Sequence, residues 1–143
     1  MHNWFQCKIK YERNAEDGAV VKVNETYLVD ALSFTEAEER INTEMTPYIS
    51  GEFLVSDIKR ARIAELFENE SGDKWYRCKV NFISLDEEKG VEKRVATIMY
   101  SQANTLKEAL ETLETGMKGT MADYEVASVV ETNVMDVFKY AAS

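Results

Sequence analysis

The sequence predicts an α+β fold in which a β-β-α-β unit of roughly 70 residues occurs twice. Trp4–Lys8 (WFQCK) returns as Trp75–Lys79 (WYRCK), about 71 residues later. Alternating apolar residues follow each string, and a helix-start motif comes next in both copies. We therefore expect a pseudo-two-fold arrangement with a mainly antiparallel sheet and two helices packed on it.

One compact domain over residues 1–143 is the expected organisation, with repeat one at about 3–67, a linker at 68–73 and repeat two at about 74–140. A unit of this size buries one sheet face only partly, so the two copies should share a core. The pattern leaves the strand order open. Exchange of the third strands between the halves is one of the open alternatives.

The first two strands of repeat one form a hairpin. Residues 4–12 alternate between apolar and polar side chains, as in a half-buried strand. The turn formers before Gly18 mark the hairpin tip, and the return strand runs from about 19 to 29. In that return strand, Glu25 interrupts an apolar series, whose other members are Val21, Val23, Tyr27 and Val29.

A helix and a third strand complete repeat one. Ser33 and Glu36 have the spacing of a capping box, in which each side chain bonds the other residue's backbone N–H. Pro47 ends the helix. The third extended stretch runs from Phe53 to about Phe67, and its broken alternation predicts a bulge or bend near 57–61.

Repeat two follows the same order. A hairpin tip lies at 86–90, and Thr105 with Glu108 forms a second capping box. Gly116 and Gly119 mark the helix end, where glycine tolerates a left-handed backbone. The third strand is expected from 124 to 138.

Composition restricts the classes of partner and the location. The formal net charge is −9, which disfavours general nucleic-acid binding. No apolar run approaches the roughly 20 residues that span a bilayer, and the N-terminus lacks a secretory pattern. We expect a cytoplasmic protein with no membrane contact. In that compartment Cys7 and Cys78 are expected to be buried free thiols rather than a disulfide.

Five strings distributed over essentially the full length carry a resemblance to a known family. They are Trp4–Lys8, Tyr27–Ala37, Ile49–Phe53, Asp57–Ala61 and Met117–Tyr124. On these strings the chain resembles a family of small uncharacterised proteins, a domain of unknown function, encoded by gut anaerobic bacteria and their phages and mobile elements. The resemblance implies a bacterial or phage cytoplasmic setting and no established activity.

Catalytic and metal-binding motifs are missing from the sequence. His2 is the single histidine, and the two cysteines have no histidine partners for a zinc site. No phosphate-binding glycine loop, nucleophile elbow or dinucleotide fingerprint occurs. The acidic residues follow the solvated faces of the predicted helices. We therefore expect no catalytic residues, no metal, no cofactor and no enzymatic activity.

Two sets of residues are candidates for ligand binding. Lys59, Arg60 and Arg62 form the one dense basic cluster, and arginine pairs with oxyanions such as phosphate. A charged strand surface, or ion pairing with the acidic helices, is the favoured alternative for this cluster. Trp4 and Trp75 are either base-stacking platforms or anchors of the core, and the anchor interpretation is favoured.

The sequence thus predicts a non-enzymatic binding or assembly protein, an accessory factor of a phage or mobile element. Its partner is a second copy or another protein, recruited through the edges of the long third strands. The alternative is a protein that binds or sequesters a nucleotide-like anion between the repeats.

Overall fold

The computed structural model describes residues 3–140, so His2 lies outside the described residues. In this range the chain forms eight strands and two helices. They are β1 (Trp4–Asn14), β2 (Val20–Asp30), α1 (Phe34–Met45), β3 (Phe53–Ala61), β4 (Glu65–Phe67), β5 (Lys74–Asp86), β6 (Val91–Ala103), α2 (Leu106–Gly116), β7 (Asp123–Glu131) and β8 (Val134–Phe138). Neither helix is long and apolar enough to cross a membrane.

The chain divides into two compact units. Unit 1 contains the residues up to Arg62 and those from Asn133 onwards, and unit 2 is Ile63–Thr132. Unit 1 has a four-stranded sheet in the order β3-β1-β2-β8, and unit 2 has one in the order β7-β5-β6-β4. In both, the three long strands are antiparallel and the short edge strand is parallel to its neighbour. The α+β prediction is confirmed, and the matching sheets agree with an internal duplication.

The third strand of each repeat is broken, contrary to the prediction of one continuous stretch. In repeat one, β3 ends at Ala61, and β4 joins the sheet of unit 2 beside β6. The Ala64 N–H donates to the Ile98 carbonyl at 2.8 Å, so backbone pairing with β6 begins just after the break. In repeat two, β7 ends in unit 2 and β8 pairs with β2 of unit 1. The ends of the third strands are therefore exchanged.

The bulge in the third strand lies earlier than predicted. The register between β1 and β3 shifts between Lys8 and Ile9. Lys8 pairs with Asp57 and Ile9 pairs with Val55, so Ser56 is an extra residue on β3. An equivalent shift between β5 and β7 follows Lys79. A bulge changes the phase of the strand, which explains the broken alternation.

One helix covers one face of each sheet. In unit 1, Phe5, Cys7 and Ile9 of β1 are fully buried in one cluster with Ala37 and Ile41 of α1. In unit 2 the corresponding cluster joins strand residues to the helix, and its buried members are Cys78, Val80, Met99, Leu113 and Met117. The period of two along the strands and the helical spacing predicted these two apolar faces.

Both predicted helix starts are present, although each capping box is incomplete. The Ser33 hydroxyl accepts from the Glu36 N–H, and the Thr105 hydroxyl accepts from the Glu108 N–H, both at 3.1 Å. Oε1 of Glu36 has no hydrogen-bond partner among the described residues. Oε1 of Glu108 accepts instead from the side-chain amide of Asn69 at 3.1 Å. The carboxylates thus do not make the predicted return bonds, and at Glu108 a loop amide takes that place.

The stretch 68–73, predicted as a linker, is tied to the end of β6 in unit 2. The Asn69 N–H donates to the side-chain oxygen of Gln102, and the amide nitrogen of Gln102 donates to the Gly72 carbonyl, both at 3.0 Å. Asn104 donates to the Ser71 carbonyl at 2.7 Å. Because its backbone groups are paired with side chains, this loop has a defined conformation.

The two glycines near the end of α2 have different roles. Gly119 has φ of +87°, as the sequence predicted. Gly116 has no such backbone, so the conformational explanation is wrong for it. A Cβ at Gly116 would instead lie 2.3 Å from Cδ1 of Phe67, because the ring of this β4 residue lies against the helix. Packing therefore explains the absence of a side chain.

Candidate functional site

The predicted basic cluster lies on and just beyond strand β3. Lys59 is opposite Gln6 and Arg60 is opposite Phe5 in the pairing with β1. Successive strand residues point to opposite faces of a sheet, so Lys59 and Arg60 are directed apart. The Arg60 guanidinium is 5.5 Å from the centre of the Phe5 ring, on the side of the sheet that α1 covers. Strand β3 therefore does not direct Lys59 and Arg60 to the same anion, and Arg62 lies beyond its end.

The cavity beside this part of β3 has acidic rather than basic side chains. It measures about 430 Å³, and Glu38 of α1 and Asp57 of β3 are among its lining residues. Lys59, Arg60 and Arg62 do not line it. Carboxylates repel phosphates, so this cavity offers the basic cluster no pocket for an anion.

The two tryptophans are interior side chains. Trp4 and Trp75 are 3% and 4% exposed at the starts of β1 and β5. Base stacking needs an accessible ring face, whereas a core anchor needs burial. Their burial therefore favours the anchor interpretation.

The cysteines are free and buried, as the sequence predicted. Cys7 belongs to unit 1 and Cys78 to unit 2. Burial, with a smaller contribution from the charge of Asp57, raises the pKa of the Cys7 thiol to about 12. Burial raises the pKa of Cys78 to about 11. Both thiols are thus protonated at neutral pH and lack the thiolate that acts as a nucleophile.

Each of the two sheets has one long edge strand, β3 in unit 1 and β7 in unit 2. Strands β3 and β7 each have nine residues, and each has a neighbouring strand on one side only within residues 3–140. Neither strand contains a buried residue. Leu54 of β3 and Val130 of β7 are exposed apolar side chains, at 63% and 55%. Such edges present backbone donors and acceptors to another strand.

The two edges differ in charge. Strand β3 carries Asp57 in its middle and Lys59 and Arg60 towards its end, for a net charge of about +1. Strand β7 carries no basic residue and three acidic residues: Asp123, Glu125 and Glu131. Within unit 2, Glu125 accepts from Arg94 Nε at 2.9 Å and Glu131 pairs with Lys74 at 3.1 Å. These local pairs hold the acidic side chains along the β7 edge.

Among residues 3–140, no group of three or more His, Cys, Asp or Glu side chains is arranged to hold a metal ion.

Glu25 of unit 1 is a polar residue that the sequence motifs did not identify as a site residue. Glu25 lies on the helix-covered side of β2, where Tyr27 donates a hydrogen bond to it at 3.1 Å. The interrupted apolar series of that strand was its signal.

The sequence matches the family described as Domain of unknown function (DUF4494) over residues 3–140. The chain therefore belongs to this family. No curated protein and no solved structure matches it.

Proposed function

We propose that this member of the DUF4494 family is a non-enzymatic binding and assembly protein that associates through its sheet edges. The observation that carries the proposal is the pair of exposed nine-residue edges, β3 and β7, one in each unit. A strand added to such an edge gains main-chain hydrogen bonds along its whole length. The partner that fits best is a second copy of this chain.

Charge favours pairing of β3 in one copy with β7 in another over pairing of like edges. An antiparallel register that places Lys59 opposite Glu125 also places Leu54 opposite Val130. Opposite charges and apolar pairs facing each other stabilise strand pairing, by roughly 0.2–1 kcal/mol each. Two β7 edges would bring together strands that each carry three acidic residues and no basic residue, and like charges repel.

Pairing of two different edges has a consequence for the assembly. A β3–β7 contact is heterologous, so after the first contact one copy keeps its β7 edge free and the other keeps its β3 edge free. Such contacts form rings when the rotation closes and filaments when it does not. The expected species are therefore larger than dimers at high protein concentration.

The test measures mass against protein concentration, by light scattering after size exclusion and by native mass spectrometry. Leu54→Glu should weaken association about threefold or more, and a second change, Val130→Lys, should restore it by creating an opposite-charge pair. Leu85→Glu, at a 64% exposed leucine near the tip of the β5–β6 hairpin, is the matched control and should have no effect. A wild-type mass that stays monomeric at every concentration would refute the proposal.

The biological setting that accompanies this proposal is the cytoplasm of a bacterium, where the protein serves a phage or a mobile element. Its support is the resemblance of the five sequence strings and the two free, buried thiols, which are usual in a reducing compartment. Fractionation of a native host tests it, since recovery of the protein outside the cytoplasm would contradict this location.

A further inference from the structure

Unit 1 contains a pocket that combines aromatic rings with carboxylates. It lies where the segment after α1 meets β2 and β8, and its volume is about 270 Å³. Four aromatic rings and two carboxylates are among the side chains that line it. They are Tyr11, Tyr27, Tyr48, Phe138, Glu25 and Asp136.

The position of Glu25 is unusual for a carboxylate. It lies opposite Ile9 in the β1–β2 pairing, and Ile9 is fully buried in the core beneath α1. Glu25 is therefore on the apolar face of the sheet, where it remains half-buried. The Tyr27 hydroxyl donates to its Oε1 at 3.1 Å. A charged group on such a face needs a specific compensating partner.

The side chains that line the pocket include two carboxylates and no cationic group. Burial, followed by the charge of Glu25, raises the pKa of the Tyr27 hydroxyl, and the charge of Asp136 adds to this effect. Burial and then Glu25 raise the pKa of Tyr11, while the charge of Arg13 lowers it. No lysine or arginine lines the pocket. The negative charge is therefore available to a ligand.

Besides the carboxylates, the pocket has aromatic rings, which also attract cations. Tyr27 and Phe138 stack with their centres 5.7 Å apart, and Tyr48, which also lines the pocket, is 77% exposed. The faces of aromatic rings carry partial negative charge and attract cations, above all alkylated ammonium groups. Met45 and Met135 also line the pocket, and their flexible thioethers adapt to the shape of a ligand.

The corresponding place in unit 2 lacks these features. In unit 1, Tyr27 lies opposite Cys7 and Glu25 lies opposite Ile9. At the corresponding positions of unit 2, Met99 lies opposite Cys78 and Thr97 lies opposite Val80. The hydroxyl–carboxylate pair is therefore specific to unit 1 and is not required by the shared fold. A difference of this kind between duplicated units indicates a role that one unit alone performs.

We propose that this pocket binds an organic cation, with an alkylated ammonium group against the tyrosine rings and its charge balanced by Glu25 and Asp136. A hard metal ion is a poorer fit, because it requires several converging oxygen ligands. The rings contribute nothing to such coordination, whereas they are the main attraction for an alkylammonium group. No residue of β3 or β7 lines the pocket, so this inference stands independently of edge pairing.

The first experiment compares choline with 3,3-dimethyl-1-butanol, a neutral isostere that differs in charge. The reporters are the ¹³C-labelled methionine methyl groups of the intact protein in NMR titrations. Choline should shift Met45 and Met135 with a Kd below about 10 mM. Met117, the counterpart of Met45 in unit 2, should stay unchanged, and so should Met121, which is 97% exposed. Equal binding of the neutral isostere, or no shift from choline, would overturn the proposal.

Two variants then test the assigned groups. Glu25→Gln keeps an acceptor for the Tyr27 hydroxyl but removes the charge, and Tyr48→Thr removes an exposed ring. Each should weaken choline binding about threefold or more. Glu39→Gln, an exposed carboxylate on α1 outside the pocket, is the control and should leave binding unchanged. Wild-type affinity in both pocket variants would refute the assignment.

A final comparison identifies the source of the cation. A short peptide containing trimethyllysine presents the same ammonium group on a protein side chain. Tighter binding of this peptide than of choline would indicate a protein partner, and weaker binding would indicate a free small molecule. Binding of neither would reject the proposed chemistry.

Discussion

Replacing Gly116 with alanine tests whether the exchanged strand β4 packs on α2. A Cβ at this position would lie 2.3 Å from Cδ1, 2.5 Å from Cε1 and 2.8 Å from Cγ of Phe67. Non-bonded carbon atoms normally approach to about 3.5–4.0 Å. The whole ring, including its first atom, must therefore move away from the helix.

Two opposing effects set the size of the change. Alanine has a higher helix propensity than glycine, by about 1 kcal/mol in a helix interior, and the gain is smaller at Gly116 because it is the last residue of α2. Inserting a methyl group into an occupied space costs about 1–3 kcal/mol. Gly116→Ala should therefore lower the free energy of unfolding by up to about 3 kcal/mol. In a Phe67→Ala background the ring is gone, and the same change should raise it.

A double-mutant cycle measures this coupling. The wild type, both single variants and the double variant are unfolded in urea, and far-UV circular dichroism and tryptophan fluorescence are recorded. The expected coupling energy between positions 67 and 116 is about 1–3 kcal/mol. Glu114→Ala, an exposed change on the same helix, should alter stability by less than about 0.5 kcal/mol in either background.

The reasoning would be refuted if the effects of the substitutions at positions 67 and 116 on stability simply added. If Gly116→Ala stabilises the protein equally with and without the Phe67 ring, the ring does not lie against α2. The position of β4 beside β6 in unit 2 would then lose its main side-chain support.

Three further predictions concern stability and binding. Gly72→Ala should destabilise by about 1–3 kcal/mol or more, because its Cβ would lie 2.6 Å from backbone atoms of Ala103, and urea unfolding should show no such loss for neighbouring Glu70→Ala. The buried thiols have raised pKa values, so below their ordinary value of 9.0 they are protonated in both states and add no pH dependence. Above pH 9 only the unfolded thiols ionise, so the free energy of unfolding should fall from pH 9 to 11, and replacing both thiols with alanine should reduce that slope. On the alternative of anion binding, replacing Arg60 and Arg62 with alanine should abolish nucleotide binding in calorimetry without unfolding the protein, and unchanged affinity would contradict it.

Part of the candidate site could be worked out from strand geometry alone. Lys59 and Arg60 are adjacent, and adjacent strand residues face opposite ways, so the sequence already argued against their joint action. Glu25 was visible as an interruption of an apolar series. Its significance depended on Tyr27 and Asp136, which reach the same place from the same strand and from β8. Pairing of β2 with β8 is long-range and leaves no local signal.

The sequence by itself determined the local elements of this protein. Side-chain alternation specified the hairpins, and the hydroxyls of Ser33 and Thr105 specified the helix starts, because both depend on residues close together in the chain. The tertiary structure decided where the ends of the third strands pair. Both repeats offer a similar second strand, β2 or β6, so a local pattern cannot select between them. Contacts such as Phe67 against Gly116 make the choice, since they depend on which elements the folded chain brings together.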